Sequence, residues 1–113
     1  MIPDQRVEAA VAFIRDKASI YAKAKAERIQ LEEFRKSQKA LGIREAEING
    51  YRTAALQERE AYASSEYIAL LDGLKNAVEE EEKLRWEMVA AQLTVEIYRT
   101  QSANSRTIDR VAS

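Results

Sequence analysis

The first half of the chain carries large apolar side chains at spacings of three, four and seven residues. Such a stripe is typical of one apolar face on a long helix, or of a coiled-coil seam. Glu27, Gln38 and Glu45 interrupt it. Its members are Phe13, Ile20, Ala24, Leu31, Phe34, Leu41 and Ile48. A second stripe nearer the N-terminus lies on another face and comprises Val7, Val11, Ile14, Ala18 and Tyr21.

Capping and turn-forming residues predict where this helix begins and ends. Asp4 follows the only proline of the chain and is a suitable helix cap. Gly42 lies inside the periodic region, where a glycine is tolerated at about 1 kcal/mol relative to alanine. Asn49 and Gly50 both accept the left-handed conformation that ends helices. The first helix is therefore predicted over about 5–48.

The second half of the chain has a denser apolar stripe, with Glu81 as its one exception. The stripe comprises Leu70, Leu74, Ala77, Leu84, Met88, Ala91, Val95 and Tyr98. A second row widens this face and comprises Leu71, Val78, Trp86, Val89, Leu93 and Ile97. Ser64 as a cap and Glu66 in the first turn predict a helix over about 65–103.

Two segments lie outside these helices. The connection over 49–64 contains helix formers with weak periodicity, so it is either a short helix or an ordered connection. The tail over 104–113 is polar and is predicted to fray.

These patterns predict an all-α fold in which residues 1–113 form a single helical domain. Its plan is a long antiparallel helical hairpin of the coiled-coil type. Apolar faces this wide cannot cover each other in a lone hairpin, and each exposed Leu or Phe forgoes roughly 1.5–3 kcal/mol. We therefore expect a homo-oligomer, either a helical bundle or a ring. Its expected interface comprises Phe13, Ile20, Leu31, Phe34, Leu41, Leu74, Leu84, Trp86, Met88 and Leu93.

Composition narrows the chemistry. The chain has neither Cys nor His, which excludes disulfides, thiolate zinc sites and the Ser-His-Asp triad. It also has no glycine-rich phosphate loop and no carboxylate pair marked by a partner nucleophile. We therefore expect no enzymatic activity, no cofactor and no metal site. The absence of a signal-peptide pattern and of a long apolar run predicts a soluble cytoplasmic protein.

One side of the first helix is predicted to be basic. The row would span roughly 33 Å at 1.5 Å per residue. It comprises Lys17, Tyr21, Lys25, Arg28, Arg35, Lys36 and Lys39. Evenly spaced cations can follow the phosphates of single-stranded DNA while Tyr21 stacks on a base. Arg99 and Arg106 are candidates for a second polynucleotide contact.

Two observations favour a different interpretation of the basic row. A Lys- and Arg-rich helix face is often a solvated surface supported by i,i+4 pairs. The pI of 5.6 also argues against a dedicated high-affinity nucleic-acid binder.

The acidic run over 79–82 offers a partner for the basic row. Segment 15–52 has ten basic and six acidic residues, a net charge of +4, and segment 53–96 has four basic and ten acidic residues, a net charge of −6. If the hairpin folds near residue 56, Glu80 lies as far after the turn as Glu32 lies before it. The glutamates are then level with residues 28–36, and helix pairing decides whether they neutralise the row.

Three stretches carry a resemblance: "AKAKAERIQLEEFRKSQKAL", "EAEINGYRTAALQEREAYAS" and "EYIALLDGLKNAVEEEEKLRWEMVAAQ", followed by "YRTQSANSR". They resemble a group of small helical proteins encoded by phages and prophages, over about residues 15–110. Such proteins tend to be encoded among replication and recombination genes, next to single-strand annealing proteins and exonucleases. The group has no catalytic motif to transfer. In size and helicity the chain is also similar to the small oligomeric recombination mediators of large phages.

The resemblance implies a non-enzymatic recombination accessory protein in the host cytoplasm. Such a protein would bind single-stranded DNA, a recombinase or an annealing protein. Two alternatives stay open. One is a phage module that binds a host factor and inhibits or redirects it, and the other is a structural coiled coil of the virion.

Overall fold

The computed structural model describes residues 1–112, which contain three α-helices and no strand. Helix α1 spans Asp4–Ile48, α2 spans Ala54–Ala63 and α3 spans Ser65–Ala112. The all-α, hairpin-type fold predicted from the sequence is confirmed. The connection that could have been helical or irregular contains α2.

The described chain divides into two compact units. The turn unit comprises residues 23–81, and the terminal unit comprises residues 1–22 and 82–112. In the turn unit, Lys39 of α1 contacts Glu58 of α2, and Arg28 of α1 contacts Glu81 of α3. Residues further from the turn on α1 thus meet residues further from it on α3, which is an antiparallel arrangement.

The terminal unit has its own contact between its two chain segments. The backbone N–H of Ile2 donates to the side-chain oxygen of Gln101 at 2.9 Å. Since Ile2 precedes α1 and Gln101 lies late in α3, the pairing is antiparallel here as well.

The end of α1 at Asn49 and Gly50 has the geometry of a Schellman motif. Gly50 has φ +97°, a conformation that costs glycine little and other residues more. Its N–H donates to the carbonyl of Glu47 at 3.1 Å, and the N–H of Tyr51 donates to the carbonyl of Ala46 at 3.1 Å. These bonds satisfy carbonyls that the helix end leaves open.

The start of α1 differs from the prediction. Asp4 is the first residue inside the helix and not its cap. The carbonyl of Pro3 accepts the first bonds, from the N–H groups of Arg6 at 3.0 Å and Val7 at 3.3 Å. At this position the carboxylate of Asp4 is favoured by the helix dipole.

The other helix starts are capped by hydroxyl groups. Thr53 accepts from the N–H of Leu56 at 3.2 Å at the start of α2. Ser64 accepts from the N–H of Tyr67 at 3.2 Å at the start of α3, which confirms the predicted cap.

The tail does not end α3 at about residue 103 as predicted, because the helix continues to Ala112. No Gly or Pro occurs after Gly73, so this part of the chain lacks the two strongest helix-breaking residues. A polar side chain of this segment bonds to the helix backbone: the hydroxyl of Thr107 donates to the carbonyl of Ala103 at 3.0 Å.

The buried side of α3 is the predicted stripe. Its buried members are Leu70, Leu84 and Ala91, together with Glu81 at the exceptional position. Tyr67, which precedes the predicted stripe, is also buried. Leu74, Met88, Val95 and Tyr98 on the same stripe are half-buried. The spacing of three and four residues therefore identified the packing face of this helix correctly.

The buried side of α1 agrees with the predicted stripe only in part, because Ala24 of that stripe is buried and Phe13 and Leu31 are half-buried. Its buried residues are Ala10, Ala24, Gly42 and Ala46, whereas Ile20, Phe34, Leu41 and Ile48 are exposed. Small residues allow a close approach, and a Cβ added to Gly42 would lie 2.8 Å from the Cβ of Ala61. Gly42 is therefore required by packing against α2 and is not merely tolerated.

Candidate interaction surfaces

Arg28, a member of the predicted basic row, forms several hydrogen bonds with carboxylates. Its Nη1 donates to Glu32 at 2.9 Å, and its Nε and Nη2 donate to the two oxygens of Glu81. Glu81 is only 6% exposed, and the bidentate geometry suits a buried carboxylate. The hydrogen bond to Glu81, followed by the contacts with Glu32, holds the pKa of Arg28 above its ordinary value.

Lys39 is held in a second ionic contact of the turn unit. Its Nζ lies 2.8 Å from Glu58 and 4.9 Å from the ring centroid of Tyr62. The hydrogen bond to Glu58, and then the one to Tyr62, raises the pKa of Lys39, and the same Lys39 contact lowers the pKa of Glu58. Both groups are therefore charged around neutral pH.

Part of the predicted basic row is neutralised within the chain. Arg28 and Lys39 lie on the side of α1 that packs on α3 and α2, and both are engaged by carboxylates. The acidic run was predicted to lie at the same height along the hairpin as the basic row. One ion pair between them, Arg28 and Glu81, agrees with this prediction. In the terminal unit Glu82 pairs instead with Arg85, at 2.8 Å.

The remaining members of the row differ in exposure. In the turn unit, Lys25 and Arg35 are exposed, and Lys36 is an exposed side chain 3.3 Å from Glu33. In the terminal unit, Lys17 and Tyr21 are half-buried.

The two C-terminal arginines lie on the exposed part of α3 in the terminal unit. Arg99 lines a depression with Val11, Ile14 and Val95, which also contains Glu96. The Nε of Arg106 donates to a backbone carbonyl of its own helix at 3.4 Å.

One depression of the turn unit gathers cations and aromatic rings. It is lined by Arg35, Lys36, Lys39, Tyr62 and Tyr67. The rings of the two tyrosines meet edge to face, with centroids 5.1 Å apart. These tyrosines were not predicted as site residues, because they flank Ser64 between α2 and α3 and belong to no long periodic pattern.

The ten predicted interface residues fall into three groups. Leu84 is buried inside the terminal unit, so the prediction that it forms an oligomer interface is wrong for this arrangement. Phe13, Leu31, Leu74 and Met88 are half-buried. Ile20, Phe34, Leu41, Trp86 and Leu93 are exposed.

Trp86 is the most exposed aromatic residue of that set, at 59%. The guanidinium of Arg85 lies over its ring, 4.5 Å from the centroid. Arg85 is itself bound to Glu82, so the indole stands on the surface beside a fixed cation.

The described residues include no group of three or more Asp and Glu side chains that could hold a metal ion. None of the described helices is long and apolar enough to cross a membrane. Comparison of the chain with family models, curated proteins and solved structures found no match.

Proposed function

We propose that this protein is a non-enzymatic helical module that works by binding other helical proteins, beginning with a second copy of itself. The observation that carries the proposal is the α1 row, defined as Phe34, Leu41 and Ile48 in the turn unit. Phe34 and Leu41 are 47% and 55% exposed. Single exposed apolar side chains are ordinary, but three at one spacing on one helix form a stripe.

The spacing of the α1 row favours a long helix as its occupant. The three residues are seven positions apart, which is the coiled-coil repeat, so a supercoiled partner helix can follow the row without drifting from it. The chain itself provides such a helix in α1. A two-fold pair would place one α1 row against the other, as in most homodimers.

The free energy of burying these apolar side chains also favours association. Fully burying a Leu or Phe side chain is worth roughly 1.5–3 kcal/mol. Burial of the α1 row in both copies therefore supplies a driving force against the entropic cost of association.

Light scattering combined with native mass spectrometry tests the proposal. The wild-type chain should have a mass that is a multiple of 12.9 kDa. Leu41→Glu should shift the mass to that of a monomer, because it places a charge in the apolar contact. Ala40→Glu is the matched control, since it adds the same charge at an exposed position of α1 that lies about 100° around the helix from Leu41 and off the α1 row. A monomeric wild-type chain would refute self-association.

The resemblance to phage and prophage proteins supports a biological setting for the module. In that setting it acts in the host cytoplasm as a recombination accessory protein, and its second partner is a recombinase or an annealing protein. Affinity capture with nuclease-treated phage-infected lysate tests this assignment. A captured annealing protein supports it, a captured host enzyme supports the alternative of a host-directed module, and abundance in purified particles supports a virion component.

A further inference from the structure

One depression of the turn unit, lined by Arg35, Lys36, Lys39, Tyr62 and Tyr67, differs in charge from four other depressions of the described residues. Three cations line it and no carboxylate does. Four other depressions among the described residues each include at least one glutamate. A concave surface with cations and without acids favours an anionic ligand.

One cation of the depression is fixed in place. Glu58 and the hydroxyl-bearing ring of Tyr62 hold the ammonium group of Lys39. Because its position is set before a ligand arrives, the ligand need not order this side chain.

The other two cations are available to a ligand. Arg35 is exposed, and no ion pair of it occurs among the described residues. Lys36 contacts Glu33 at 3.3 Å, but both side chains are more than two-thirds exposed. Such a surface pair contributes little and can be exchanged for a contact with a ligand.

The aromatic component is Tyr62, which is 42% exposed. Its ring contacts the ring of the buried Tyr67 in an edge-to-face arrangement. Phosphate-binding cations beside an exposed, fixed aromatic ring are the two elements of a surface that binds single-stranded nucleic acid.

We propose that this depression binds single-stranded nucleic acid. Arg35 and Lys36 contact the phosphodiester, Lys39 contributes its fixed charge, and a base packs on the exposed part of Tyr62. Binding at this place uses an aromatic residue of α2, whereas the sequence had pointed to Tyr21 on α1. The proposal is independent of self-association, because every residue it uses lies in one protomer.

Fluorescence anisotropy with a labelled oligo-dT of about 16 nucleotides, at ~50 mM salt, tests the proposal. Affinity should fall as salt is raised. Arg35→Gln should weaken binding and reduce the slope of log K against log salt by about 0.7, the value for one phosphate contact on a single strand. Arg44→Gln is the matched control: the same charge change at an exposed position of α1 outside the depression. Equal effects of the two variants would overturn the assignment.

The aromatic contact has its own pair of variants. Tyr62→Phe keeps the ring and should retain binding, whereas Tyr62→Leu should weaken it by about fivefold or more. Circular-dichroism melting checks that each variant is folded. Undetectable binding by the wild-type chain, or equal binding by the Phe and Leu variants, overturns the proposal.

Competition separates the possible sources of the phosphate. Unlabelled oligo-dT should displace the probe, whereas dTMP and inorganic phosphate at the same phosphate concentration should not. Displacement by the small anions to the same extent would overturn the assignment to a strand and identify a general phosphate site.

Discussion

Glu81 shows how a charged side chain can occupy a position that an apolar pattern reserves for a hydrophobic residue. Glu81 lies on the buried stripe of α3, and its two oxygens accept from the guanidinium of Arg28. A well-packed apolar pair could give equal stability at such a place, so the pair is best explained by the single alignment of helices that it permits. A shift of α3 by one turn would leave both charges without their partner.

Glu81→Gln should lower the melting temperature by several degrees. A neutral amide forms weaker hydrogen bonds with a guanidinium than a carboxylate does, and it leaves the charge of Arg28 less well compensated. Glu80→Gln removes the same charge from an exposed neighbour and should change the melting temperature little. Thermal denaturation followed by circular dichroism measures both, and equal effects would contradict the assigned role.

The contact between Lys39 and Glu58 should make stability depend on pH in a defined direction. The pKa of Glu58 lies below its ordinary value of 4.5 and the pKa of Lys39 lies above its ordinary value of 10.5. The Glu58 contribution is therefore complete above pH 4.5 and is lost as pH falls through the folded-state pKa. The Lys39 contribution is complete below pH 10.5 and is lost as pH rises through the folded-state pKa.

Glu58→Gln tests this dependence. The variant should melt below the wild type at neutral pH, by a few degrees at most because the pair is partly exposed. The difference should disappear as pH falls well below 4.5. Glu79→Gln, at an exposed position of α3, should show no such pH-dependent difference, and a gap that persists in acid would contradict the argument.

At the scale of elements, the sequence predicted α3 better than α1. The stripe of α3 has large apolar residues at its packing positions, so periodicity and burial agree. The buried positions of α1 hold Ala10, Ala24, Gly42 and Ala46, and of these only Ala24 belongs to the predicted stripe. Of the larger residues in that stripe, Phe13 and Leu31 are half-buried. The other four, Ile20, Phe34, Leu41 and Ile48, are exposed.

The helix boundaries could be predicted where local chemistry decides them. Gly50 and Ser64 form hydrogen bonds with residues close by in the sequence, so the helix ends that they define can be predicted from the local sequence. The depression of the turn unit could not be predicted. The depression forms only because α2 lies beside α1. That placement depends on the close contact between Gly42 and Ala61, which is a tertiary contact and cannot be derived from neighbouring residues in the sequence.

That contact between α1 and α2 is tested by a pair of glycine substitutions. Gly42→Ala should destabilise the chain by about 1–3 kcal/mol, because the new methyl group would lie too close to Ala61. Gly73→Ala should stabilise it by about 0.5–1 kcal/mol, because its Cβ would meet nothing within 4 Å in α3. Urea denaturation gives both values, and the same sign for both would contradict the packing described for α2.

At the scale of the whole molecule, self-association should couple stability to concentration. If folded chains associate and unfolded chains do not, the melting temperature rises with protein concentration. We expect this rise for the wild type over a tenfold increase in concentration and expect none for Leu41→Glu. Scanning calorimetry at the two concentrations measures it, and a melting temperature independent of concentration in the wild type would argue against a stable oligomer.

The exposed indole of Trp86 gives the molecule a built-in optical reporter. Since the chain has a single tryptophan, its emission comes from one known place on the terminal unit. Emission that moves to shorter wavelength as the protein is concentrated would show that the assembly shields this place from water. If the emission wavelength stays constant while the mass increases, the interface lies on other surfaces, such as the α1 row. This measurement needs neither a label nor a substitution.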